Sequence, residues 1–186
     1  MQDTMVAFRY AKSLLTLAVE QNQLEEVNKD MLLFAKVSDE NPQFVRILKS
    51  PVISHDKKKA ILNSIFSGKV GKMTSAFIDL SAKKGREGYL PQIAEAFSEQ
   101  YKVLKGIQVA EVVSAAEISA SQKEELHNLV KRLSGKTLVE LKEKVDHSLI
   151  GGFILNVDDQ QIDHSIKGKI ANLKKKFKEN PYISKY

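Results

Sequence analysis

The sequence predicts a mainly α protein: an N-terminal six-helix bundle followed by a small C-terminal α/β domain with a mixed sheet. Over the first 105 residues apolar side chains recur at helical spacing in six runs, and proline, glycine or serine marks most of the gaps between them. Beyond Lys105-Gly106 the runs become short and β-branched, in the order β-α-β-β-α. Together these observations place a boundary near residue 106, with domains at 1–105 and 106–186.

The first run, residues 4–20, holds Val6, Ala7, Phe8, Tyr10, Ala11, Leu14, Leu15, Leu17, Ala18 and Val19. Its polar residues Arg9, Lys12, Ser13, Thr16 and Glu20 form one narrow stripe. A helix that only covers a core shows an apolar arc a little over about 100° wide. This one is apolar over most of its circumference, which predicts a central position or a second face reserved for a partner. A second helix is predicted over 23–38, with Leu24, Val27, Met31, Phe34 and Val37 on one side. Asn41-Pro42 opens a short third helix through Phe44, Val45 and Leu48, and Ser50-Pro51 stops it. Ser54 starts a fourth, carrying Ile61, Leu62, Ile65 and Phe66, which Gly68 and Gly71 end. Met73, Ala76, Phe77, Ile78 and Leu80 mark a fifth, closed at Lys84-Gly85. Pro91 opens a sixth with Ile93, Phe97 and Tyr101.

In the second half, IQVAEVVSA (107–115) suits a strand, and Ser119 or Ser121 caps a helix through Leu126, Leu129, Val130 and Leu133. TLVELKEKV (137–145) alternates Val139, Leu141 and Val145 with Glu140, Lys142 and Lys144, the period of a half-buried strand. GGFILNVDD reads as a third strand that turns at Asp158-Asp159. A closing helix follows, started by Asp163, in which Ile166 and Ile170 are expected to bury against the sheet and Gly168 to permit close packing.

Several chemistries are argued against. The chain has 186 residues, 42% of them hydrophobic and 28% charged, which is a globular balance. No apolar run approaches the roughly 18 residues that span a bilayer, and Asp3, Arg9 and Lys12 spoil the start as a signal peptide. With no cysteine there are no thiolate metal sites or disulfides, so a soluble cytoplasmic protein is the default. SGKT (134–137) ends like a phosphate loop, but its required first glycine falls at Val130 and it leads into a strand. In GKVGKMT (68–74) the glycines are too close and Met73 stands where a hydroxyl belongs. His55, His127, His147 and His164 lie in four separate segments, without helical ligand spacing. Asp158, Asp159 and Asp163 read as turn and cap residues rather than a Mg²⁺ or acid–base site. The sequence therefore predicts no enzyme, no cofactor and no metal.

The formal net charge of +6 is unevenly spread. Residues 1–166 hold 22 basic and 22 acidic side chains, whereas Lys167 to the end holds seven lysines and one acid, Glu179. The excess is a basic tail, a handle for something anionic rather than a basic face. One function open to such a tail is that of a small helical nucleic-acid-binding factor. Nucleic-acid recognition favours arginine and aromatic residues spread over a face, however, and no arginine follows Arg132.

An early FRYAKSLL helix, an LKSPVIS..KK.AIL segment and a late LIGG....V.D..ID.SIKGKI..L block occur in that order. Together they resemble the delta subunits of bacterial F-type ATP synthases, whose mitochondrial counterpart is the oligomycin sensitivity-conferring protein. The resemblance runs from about Met5 to Phe177, and the late block is its specific part. It implies a non-catalytic part of the peripheral stalk, at the cytoplasmic face of the bacterial inner membrane and with no transmembrane insertion. It further implies that the N-terminal bundle grips the N-terminal helix of an alpha subunit in a groove between its first and fifth helices. The C-terminal domain then joins the ends of the membrane-anchored b subunits, so that the head is held still while the rotor turns. Carried onto this chain, the alpha-subunit groove falls to Tyr10, with Ala7, Ala11, Leu14 and Ala18 beside it and Phe77, Ile78 and Leu80 across from them. Lys167, Lys174, Lys175, Lys176 and Lys178 are the candidates for the b-subunit side. The chain departs from the family pattern at Asp158, commonly glycine, at Asp163-His164-Ser165, usually Asp-Gly-Ser, and at Lys167, often arginine. The isolated chain is expected to be a monomer that ignores nucleic acid.

Overall fold

The computed structural model describes residues 2–178, and the chain divides into two compact units, Met1–Leu104 and Lys105–Tyr186. Among the described residues, six α-helices and one 3-10 turn precede the first strand. They are α1 (Gln2–Glu20), α2 (Leu24–Glu40), α3 (Pro42–Lys49), α4 (His55–Phe66), α5 (Lys72–Lys83), the turn Glu87–Tyr89, and α6 (Leu90–Lys105). All six helices give side chains to one core, which accounts for the short runs of apolar spacing. Phe34 of α2 stacks on Phe66 of α4 with ring centroids 4.7 Å apart, and Phe44 of α3 closes on both at 6.0 and 6.2 Å. Leu14, Leu48, Leu62, Ile93 and Phe97 are fully buried around them. At roughly 25 cal/mol per Å² of apolar surface removed from water, such side chains supply most of what opposes chain entropy. The buried carboxylate of Asp30 accepts the Gly71 N–H at 2.8 Å, pinning the entry of α5 to α2.

The second unit is built on a four-stranded mixed sheet in the order β2-β1-β3-β4. Its elements are β1 (Ile107–Ser114), α7 (Ala120–Ser134), β2 (Leu138–Val145), a 3-10 turn (His147–Leu149), β3 (Phe153–Val157), β4 (Gln160–Asp163) and α8 (Ile166–Lys178). β1 runs parallel to β2 and antiparallel to β3, as a crossover through α7 and then a return require. The register brings Ala110, Val112, Leu155 and Val157 onto one face, where Leu126 and Val130 of α7 cover them. α7 begins at Ser119, whose hydroxyl and the Gln122 side chain satisfy each other's backbone N–H groups in a capping box. It ends at Gly135 with φ +68°, so the SGKT stretch closes a helix instead of opening one.

Four sequence expectations change here. A fourth strand, Gln160–Asp163, pairs with β3 beyond the Asp158-Asp159 turn; it is short and largely polar, so it carries little periodic signal. Ile166 and Ile170 do not bury against the sheet but remain 43% and 41% exposed, because α7 alone covers the core face. The cap of α8 is Ser165, whose Oγ accepts the Gly168 N–H at 2.9 Å, while Asp163 accepts the Ser165 N–H at 2.8 Å one step earlier. A Cβ added at Gly168 would meet the Asp163 carboxylate and not the sheet.

Candidate functional site

α1 shows how the first unit divides its surface between folding and contact. Ala7, Ala11, Leu14 and Ala18 recur at i, i+4, i+7 and i+11, so they share one stripe, and all four are buried in the unit's own core. Ile78 of α5 is buried in the same core. These five candidates are thus the floor under any groove, already occupied by intramolecular packing. Tyr10 and Phe77 are half-buried and meet edge to face, with ring centroids 6.3 Å apart at 64°. Arg86 Nη1 donates to the Tyr10 hydroxyl at 2.6 Å and its guanidinium lies 5.1 Å from the ring centroid, closing one end of this contact. Leu80, one turn from Phe77, is 50% exposed, and Leu17, two turns from Tyr10, is 41% exposed. On the opposite flank of α1, Met5, Phe8 and Val19 are also exposed, and Gln100 Nε2 donates to the Phe8 carbonyl at 3.1 Å.

Sequence reasoning did not single out Met5, Phe8, Leu17 and Val19 as contact residues. The signal was present: they are the apolar positions that fall off the stripe through Ala7 and Ala18. It also missed a buried charge cluster. Glu87 is almost fully buried, and its Oε1 holds the Lys58 ammonium at 2.8 Å and His55 Nδ1 at 2.9 Å. Burial pushes the Glu87 carboxyl up, but hydrogen bonds from Lys58, the backbone and His55, with the Lys58 charge, outweigh it and hold the carboxyl below its ordinary value. Nothing in the sequence pairs Glu87 with Lys58, because the partners lie on separate elements.

In the second unit the exposed features cluster around α7 and α8. A cleft of about 790 Å³ runs along α7, walled by Ala115, Ile118, Leu126, Leu129 and Phe153 and bounded by the 150–152 loop. Glu117, Glu125 and Arg132 are among its lining residues, the last two seven positions apart on α7. Ile150, at the mouth, has φ +67° and ψ −38° and is 70% exposed. α8 presents Ile166, Ile170, Leu173 and Phe177 at i, i+4, i+7 and i+11, all exposed. Lys167, Lys174, Lys175 and Lys176 are exposed on the same helix; the side chain of Lys178 and residues 179–186 lie outside the described residues. Asp158 accepts from Gln108 Nε2 at 2.8 Å and holds the β3–β4 turn at φ +49°, which fits its reading as a turn residue. Among the described residues no three histidine, aspartate or glutamate side chains gather as a metal site would require, and no helix is long and apolar enough to cross a membrane.

Comparison with known proteins identifies the family. The profile of the family described as ATP synthase delta (OSCP) subunit matches residues 6–177. The ATP synthase subunit delta of Cytophaga hutchinsonii is 41% identical over 179 residues, covering 96% of this chain and 97% of that one. That of Amoebophilus asiaticus is 40% identical over 172 residues, with 92% and 94% covered. The chloroplastic subunit of Emiliania huxleyi is 31% identical over 168 residues, with 90% and 93% covered. A chain in the cryo-EM structure of the Toxoplasma gondii mitochondrial ATP synthase hexamer shares the fold, with a TM-score of 0.71 at 22% identity over 95% of this chain and 98% of that one. The chain belongs to the ATP synthase delta (OSCP) subunit family, and is a structural, non-catalytic component of the peripheral stalk of the membrane-bound F-type ATP synthase.

Proposed function

We propose that the first unit works as a six-helix bundle that grips the N-terminal helix of an alpha subunit, and that the second unit docks the C-terminal ends of the membrane-anchored b subunits. The chain so placed ties the catalytic head to the stalk at the cytoplasmic face of a bacterial plasma membrane. It resists the torque of the rotor, and proton flow is coupled to ATP synthesis. The observation that carries the first half is the exposed apolar surface flanking the Tyr10–Phe77 contact. Leu17 and Leu80 leave water only if another helix covers them, and a helix laid into a groove is an economical way to do so. The second half rests on α8, whose apolar stripe is exposed among the described residues and whose lysines match the acidic or carboxylate end of an incoming helix.

Titration of the full chain with a peptide of the alpha-subunit N-terminus tests the reading. Saturable binding at micromolar affinity or tighter is expected, with no retention of RNA at physiological salt. Absence of peptide binding would overturn the proposed grip on the alpha subunit, and RNA binding that falls steeply with salt would give the lysine-rich tail a nucleic-acid ligand instead of the b subunits.

A further inference from the structure

We infer that the Leu149–Gly152 loop is a strained recognition element, in which the fold forces Ile150 into an unfavourable backbone conformation to present its side chain to a stalk helix. The inference rests on the reading of the second unit as the b-subunit dock, and it names the subsite and the chemistry of its occupant. A β-branched residue at φ +67°, ψ −38° lies near the rare, strained γ-turn and is a true outlier. Such conformations persist only where surrounding structure over-determines them. Here that structure is visible. Gly152, at φ +80°, lies so close to the His164 carbonyl that any side chain would collide with it. Gly151 accepts the Ile166 N–H at 2.9 Å through its carbonyl, and an added Cβ there would lie 2.6 Å from Ile166 Cδ1. Ile150 is therefore fixed between the 3-10 turn and a glycine pair locked to the start of α8. Folding gains nothing from its side chain, which stays in solvent.

The cleft beside it states what fits. Its walls are largely apolar, and α7 contributes Glu125 and Arg132 to the lining, seven residues or about 10 Å apart along the helix. The complementary occupant is an amphipathic helix with an apolar face and, on its flank, a cationic and an anionic side chain about two turns apart. Its basic residue would lie by Glu125, and its acid or chain-terminal carboxylate by Arg132. The apolar wall of Gly151 leads directly into Ile166, the first residue of the exposed α8 stripe, so one helix can engage cleft and stripe together.

The test compares the unmodified full chain with Ile150→Gly, Ile150→Ala and Arg132→Glu, using the soluble segment of the cognate b subunits as probe. Ile150→Gly is expected to raise the melting temperature by roughly 4–8 °C, because glycine adopts the forced conformation freely. The same variant should bind the b segment at least tenfold more weakly. Ile150→Ala should weaken binding without the gain in melting temperature, and Arg132→Glu should weaken it several-fold at unchanged melting temperature. Binding by Ile150→Gly as tight as that of the unmodified chain, or a lower melting temperature, overturns the inference and leaves the stalk reading standing. No binding of the b segment by the unmodified chain overturns the reading of the second unit as the b-subunit dock and, with it, the occupant named here.

Discussion

Lys58 and Glu87 form a buried ion pair, and removing one member gives a sharp expectation. In Lys58→Met the aliphatic stem is kept but the ammonium 2.8 Å from Glu87 Oε1 is lost. The carboxylate then stays buried with Oε2 already lacking a protein hydrogen-bond partner and with only His55 left on Oε1. Stranding a buried charge costs about 3–5 kcal/mol, and a domain of this size loses about 4–8 °C of melting temperature per kcal/mol. The variant should therefore melt at least ~12 °C lower. Lys58→Met combined with Glu87→Leu removes both charges and should recover most of the loss. Acid dependence has a defined sign. The folded-state carboxyl sits below its ordinary value of 4.5, so its contribution is complete above that pH and is lost as the pH falls through the lower folded value. Urea unfolding followed by circular dichroism at pH 7 and between pH 5 and 3 reads both effects. A single variant within about 1 kcal/mol of the parent, or a double variant with an equally steep acid limb, would refute the reasoning.

Folding and binding on α1 should separate. Leu80→Asp is expected to cut alpha-peptide affinity by tenfold or more with little change in melting temperature, whereas Ala11→Leu should overpack the core and cost about 1–3 kcal/mol; calorimetric titration and thermal melts distinguish them. Asp158→Ala should destabilise the second unit by about 2 kcal/mol, since alanine tolerates positive φ poorly and Gln108 loses the nearer of its two acceptors, while Asp158→Asn should be nearly neutral by denaturant unfolding. Replacing Lys174, Lys175, Lys176 and Lys178 with glutamine should weaken capture of the b-subunit segment and flatten its salt dependence in surface plasmon resonance.

The helices were legible because each carries its own periodicity and punctuation. Pro42, Gly85 and Pro91 fall at or beside the observed helix ends, and the stripe Ala7-Ala11-Leu14-Ala18 can be drawn from spacing alone. What spacing does not reveal is which of two apolar sides turns inward. That choice depends on neighbours such as Phe77 and Arg86, which approach Tyr10 from far along the chain. β4 escaped notice for the opposite reason, being four residues long with one apolar member. The exposed α8 stripe was misread because an amphipathic helix after a strand normally packs on the sheet. Here α7 had already taken the core face.

The order of elements also sets an order in time. The hydrogen bonds that build α1 to α6 join residues a few positions apart, so they can form as the chain emerges. β1 is different: Ile107 pairs with Leu138 across the whole of α7, and Ala110 waits for Val157. Its central strand stays unpaired on both sides until most of the second unit has been synthesised, and loop closure slows it further. During translation the half proposed to grip the head is therefore complete first. The half proposed to hold the stalk spends longest with an open strand edge, and there a nascent-chain chaperone would have most to protect.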